Sequence, residues 1–197
     1  MIKRLAFVTG ILALAAPLAV AQYSTWTSDP AHSEVEFSVR HGGVSNVHGR
    51  FGNVAATLIY NEADVTKSTV TATIDVSTVD TGQSPRDNHL KTDAFFDVAK
   101  FPTATFTSTN VVKNGNKLTV SGNFTVHGVT HPLVLDVEGP ATPVENGMDH
   151  KLHSGFTAST TLSRNAYGIG TSFSSALVGD EIKLTIELEI IKQEVKP

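Results

Sequence analysis

The sequence predicts an all-β protein, an eight-stranded antiparallel barrel with one short helix near residues 85–96 at one end. Three observations carry this. Apolar and polar residues alternate with a period of two over most of the chain, the pattern of strands with one buried face. Turn signals such as Asn114-Gly115-Asn116 and Glu145-Asn146-Gly147 separate the alternating segments. One compact stretch, SPRDNHLKTDAFFD (84–97), breaks the alternation and reads as helical.

The chain opens with MIKRLAFVTGILALAAPLAVAQ, in which Lys3 and Arg4 precede an apolar run from Leu5 to Leu18 and a small-x-small site, Ala19-Val20-Ala21. That is the build of a secretory signal peptide over residues 1–21, cleaved near Ala21, and the run is too short for a membrane span. Removing 21 of the 197 residues leaves 176, enough for one domain, 22–197, with a sizeable core. Two of the 15 basic residues leave with the leader and all 19 acidic ones stay, so the mature formal charge is −6. With no basic cluster, that balance argues against nucleic acid and anionic membrane surfaces as partners. Cysteine is absent, which removes disulfides, thiolate metal sites and a lipoprotein anchor. A soluble periplasmic protein without a stable membrane anchor is the expectation; the oligomeric state, a homodimer included, stays open.

In SEVEFSVR, Val35, Phe37 and Val39 share one face against Glu34, Glu36, Ser38 and Arg40. The last segment, DEIKLTIELEIIK, sets Ile182, Leu184, Ile186, Leu188 and Ile190 against Lys183, Thr185, Glu187 and Glu189. Between them GRFGNVAATLIY, STVTATIDVSTV, TATFTSTNVV, KLTVSGNFTV, THPLVLDVEG and KLHSGFTASTTL are rich in Thr, Val and Ile. Segments of ten residues or more exceed the usual ~5–6 and suit the long tilted strands of a barrel. On pattern alone a sandwich stays open.

In the helical stretch, Ser84 suits the N-cap, Pro85 the first turn and Asp87 the third position, a near capping box. Asp87 and Lys91 are four apart and can pair, and Arg86 and His89 are neighbours on the helix surface. They are the sharpest polar candidates. A helix there plugs or gates one end of the barrel.

Other constellations are weaker. Asp29, His32 and Ser33 invite a hydrolase reading that fails because adjacent strand side chains point apart. His127 and His131 flank a three-residue hairpin loop that would set them opposite each other, but two ligands do not make a zinc site. His150 and His153 fall on opposite faces of an extended segment. Tyr167-Gly168-Ile169-Gly170 lacks the third glycine of a dinucleotide fingerprint and suits a tight loop near Arg164.

DPAHSEVEFSVRH (29–41), VHGRF (47–51), VDTGQSPRDNHLKTDAFFDVAKFPTATF (79–106) and GNFTVHGVTHPL (122–133) together resemble the YceI-like family across the mature chain. That resemblance implies a lipocalin-like barrel, polyisoprenoid-binding and typically periplasmic, whose apolar tunnel holds a polyprenyl phosphate or a quinone tail. It implies no catalysis, and carries over to Arg40, His41, Arg86, Asp87, His89, Leu90 and Phe95. His48 stands where relatives often have a basic residue, and SRNAYGIG departs from the usual NRxDFGIG at Ser163 and Ala166, in the loop around Arg164.

The expected site therefore has a head group met by Arg86, His89, Arg40 and His41. Its tunnel is lined by Phe37, Val39, Phe51, Leu90, Phe95, Phe124 and Phe156. An isoprenoid lipid or quinone is the expected ligand, with no cofactor, catalytic residue or metal. The rivals are a metal-dependent periplasmic enzyme using His127 and His131, and a fully packed barrel acting as a partner-binding module.

Overall fold

The computed structural model describes residues 23–194; the expected leader, 1–21, lies outside them. The strands are β1 (Tyr23–His41), β2 (Ser45–Phe51), β3 (Val54–Asn61), β4 (Thr69–Asp75), β5 (Thr103–Asn114), β6 (Lys117–Val126) and β7 (Val129–Glu138). They continue with β8 (Val144–Glu145), β9 (Leu152–Ser163) and β10 (Val178–Lys192), and the one α-helix among the described residues is α1 (Ser84–Leu90).

The strands close into an eight-stranded antiparallel barrel. Going round it, β1 pairs with β3, then β4, β5, β6, β7, β9 and β10 follow, and β10 returns to β1. β2 and β3 together make one wall strand against β1. Tyr23–Thr27 pair with β3 and Val35–His41 with β2. The sequence segment GRFGNVAATLIY is thus broken at Gly52-Asn53, where Asn53 turns to a φ of 51°. Closure pairs β10 back to β1, so among the described residues the only wall strand with an outer edge is β2, where Arg50 bridges to Asp80.

Two local features shape the wall. In β1, residues 29–32 stand opposite the single residue Glu189 of β10, a multi-residue bulge between Ser28 and Ser33. Beyond Asp75 the chain leaves the sheet in a 3₁₀ turn, Val76–Thr78, rather than extending β4. It then pairs Asp80 with Arg50 on the free edge of β2 and enters α1.

The helix is shorter than its sequence suggests. It spans Ser84–Leu90, its N-cap is Gln83 rather than Ser84, and residues 91–100 form turns. Asp87 Oδ1 accepts from the N–H and hydroxyl of Thr81, 2.9 and 2.5 Å away, instead of pairing with Lys91. Tertiary anchoring of the 81–87 loop outcompetes the local i,i+4 pair, which is worth only ~0.5 kcal/mol on an exposed helix. The turns after α1 aim Phe95 and Phe96 inward, and Phe96 sets its edge on Phe51, 5.5 Å between centroids.

Inward residues of β5, β6 and β7, among them Phe106, Val120, Phe124 and Leu135, are buried. Each contributes roughly 1.5–3 kcal/mol of burial. The inner face of β10 differs: Ile182, Leu184, Ile186 and Leu188 are only half-buried although they face the inside of the barrel.

Candidate functional site

Those half-buried side chains border a lumen. A cavity of about 250 Å³ runs inside the barrel, and its wall is almost wholly carbon. It extends from Val178 and Ile169 at the α1 end to Tyr60 and Val65 at the other. The barrel is therefore not fully packed, which removes the packed-module alternative. Small side chains keep the space open, with Ala56, Ala72, Ala104 and Ala158 standing on strands where larger residues would meet across the axis.

All seven residues expected to line a tunnel lie in this wall: Phe37 and Val39 from β1, Phe51 from β2, Leu90 from α1, Phe95 beyond it, Phe124 from β6 and Phe156 from β9. At the α1 end Phe95 stacks on Phe173, and the edge-on ring of His89 caps the pair, 5.1 Å from Phe95 and 5.9 Å from Phe173.

The four expected head-group residues stand at this same end but outside the cavity wall. Arg86 donates to Thr81, from Nε to the hydroxyl at 2.7 Å and from a terminal nitrogen to the carbonyl at 2.9 Å. Its guanidinium holds the loop before α1. Arg40 is exposed and donates to the carbonyl of Gly43 in the β1–β2 turn. His41 and His89 are exposed.

The cation in the wall is Arg164, which is 3% exposed. It donates to the carbonyls of Ile169, Gly170, Phe173 and Val178 at 2.6–2.9 Å and to the Asn165 side chain at 3.1 Å. These bonds tie the 165–178 loop across the barrel end. Gly170, at a φ of 61°, lets that loop pass beneath Phe95; a Cβ there would sit 2.7 Å from the ring. Asp180 accepts from the Asn165 N–H and the Ser163 hydroxyl, and with Arg164 nearby these hold its carboxyl below the usual range. Ser163 thus has a defined partner although it departs from the family pattern. Burial pushes the Tyr167 phenol up.

His127 and His131 are not opposite each other. His127-Gly128 is a two-residue turn with both φ values positive, so His131 stands across from Phe124. One ring nitrogen of His127 bonds the Tyr167 carbonyl and one of His131 the Ala166 carbonyl, each at 3.1 Å. Both imidazoles pin the 165–167 turn. Ser33 is buried and bonds the backbone of Glu189, away from any nucleophilic role.

A closed barrel with one apolar lumen and a helical segment over one end is a binding-protein fold. The YceI-like domain model matches residues 26–190. A UPF0312 protein of Pectobacterium atrosepticum is 33% identical over 186 residues, 93% of each chain. Protein YceI of Salmonella arizonae is 34% identical over 165 residues, 83% of each. The crystal structure of a Campylobacter jejuni YceI protein, 33% identical, superposes with a TM-score of 0.69 over 77% of this chain and 88% of that one. A polyisoprenoid binding domain from Saccharophagus degradans shares the fold at 16% identity, with a TM-score of 0.62 over 87% of this chain and all of that one. The chain belongs to the YceI-like family.

Proposed function

We propose that this protein is a non-catalytic carrier that holds one long, thin apolar chain, an isoprenoid, in its lumen, and that it works in the periplasm after its leader is removed near Ala21. The observation that carries this is the continuous carbon wall along the barrel axis, built from alternate residues of all eight wall strands. Such a wall recognises length and width but offers little to a polar ligand. Each five-carbon unit adds about 4 kcal/mol of gross burial, before the cost of ordering the chain is subtracted. The fold shared with a domain described as polyisoprenoid-binding supports the same reading.

The head group, a phosphate or a quinone ring, would emerge at the α1 end, where Arg40, His41 and His89 are solvent-accessible. Arg86 would act there through the loop it holds. The test is mass spectrometry of a solvent extract of the mature protein, prepared without detergent from a periplasmic fraction. About one equivalent of an isoprenoid per chain is the expected result. An extract with no lipid, from protein that also fails to take up polyprenyl phosphate or quinone on addition, would overturn the reading.

A further inference from the structure

The bulge in β1 builds a second polar site, on the faces of β9 and β10 opposite to Phe156 and Leu188, which line the lumen. Three separate elements converge there. The bulge presents Asp29 and His32; β10 presents Glu189; the start of β9 and the loop before it present His153 and Asp149. A hairpin-like return from β8 covers the group, and the His153 side chain is only 7% exposed.

Donor atoms of Asp29, His153 and Glu189 all lie within 4.8 Å of one another. His153 Nδ1 is 2.6 Å from Glu189 Oε1. His32 Nδ1 lies 2.9 Å from Asp29 Oδ2 and 3.7 Å from Glu189 Oε2. The other nitrogen of His153 faces Asp149, 3.1 Å from Oδ2. A carboxylate on the far nitrogen is the arrangement that fixes the tautomer and orientation of a metal-binding imidazole.

We propose that Asp29, His153 and Glu189 bind a divalent transition-metal ion, with His32 at the edge of the site as a fourth donor. Mixed imidazole and carboxylate donors suit Zn²⁺, Ni²⁺ or Cu²⁺; an all-oxygen site would suit Ca²⁺ or Mg²⁺. With His32 engaged the site has the four protein donors of a tetrahedral zinc centre. Bonds of about 2.0–2.2 Å need donor separations of roughly 3.4 Å. Side-chain shifts of about an ångström reach that, and the bulge carries Asp29 and His32 outside the regular β1–β10 ladder. Binding displaces the proton that His153 Nδ1 shares with Glu189 to solvent. The site is independent of what the lumen holds.

Zn²⁺ titration of the full mature chain, free of any affinity tag, by calorimetry in a weakly coordinating buffer tests this. One equivalent should bind. E189Q and the bulge variant D29N should each weaken it by about 100-fold, and D149N by about 10–100-fold, through orientation of His153. Thermal unfolding of each variant checks that it is folded; D29N, in the bulge outside the regular ladder, keeps the test alive if a β10 change does not fold. A double variant H127Q/H131Q should bind like the parent. No saturable uptake, or uptake that survives E189Q and D29N, would overturn the proposal.

Discussion

The ring of Phe95, from the turn after α1, lies flat on that of Phe173, from the loop before β10, with centroids 5.0 Å apart and planes 14° from parallel. Two segments far apart in sequence thereby close one barrel end. Phe95→Ala should cost about 3 kcal/mol in urea unfolding, the low side for a buried phenylalanine because the site borders existing space. It should also speed release of a bound fluorescent isoprenoid. Slower or unchanged release would show that lipid does not pass this end.

Ala72 faces the lumen from β4, between Ala56 and Phe106 in register. Ala72→Phe puts a ring into open space, so stability should change by within about 1 kcal/mol, well below ordinary overpacking costs. Isoprenoid binding should fall at least about tenfold, since one CH₂ lost from contact is already worth ~0.8 kcal/mol. A variant that folds and binds normally would mean that the ligand lies elsewhere.

Arg164 cannot be replaced by lysine. One ammonium offers three donors from a point, whereas the guanidinium serves six oxygens spread over residues 165–179. Arg164→Lys strands several buried carbonyls and should destabilise by at least about 3 kcal/mol. Retention of parental stability in a thermal melt would contradict the assigned role.

Asp180 predicts an acid-sensitive loop. Its folded pKa is lowered, chiefly by the Asn165 N–H, so its contribution is complete above the unfolded value near 4 and is lost as pH falls through the folded value. Asp180→Asn should be about 1–2 kcal/mol less stable at pH 7. That gap should close as the pH is lowered below about 4. A gap of constant size between pH 7 and pH 3 would assign the effect to shape rather than charge.

Arg86 and His89 should separate in binding assays. Arg86→Ala, which frees the Thr81 loop, should weaken a polyprenyl phosphate and a neutral isoprenoid alike. His89→Ala should weaken the phosphate more, by about two- to fivefold, the ~0.5–1 kcal/mol of an exposed charge contact. Equal losses in both variants would confine His89 to capping the Phe95–Phe173 stack.

The repeating pattern of the sequence determined the strands and the side chains that share their buried face, because a period of two commits every second residue to one face without reference to distant partners. Closure of β10 onto β1 made those strands a barrel rather than a sandwich. Phe37, Val39, Phe124 and Phe156 were legible for that reason. Phe51, Leu90 and Phe95 were legible as apolar residues bounding the one non-alternating segment. The tertiary structure alone decided where the polar groups went. Arg86 bonds Thr81, Arg164 gathers the carbonyls of a loop, and His127 and His131 pin the 165–167 turn. The bulge at 29–32 sets Asp29 and His32 beside Glu189, some 160 residues away in the chain. A hydrogen bond is directional and depends on one specific partner, whereas burial depends only on being inside. A local pattern therefore reveals an apolar wall, but it cannot reveal which oxygen a guanidinium or imidazole will meet once the barrel has closed.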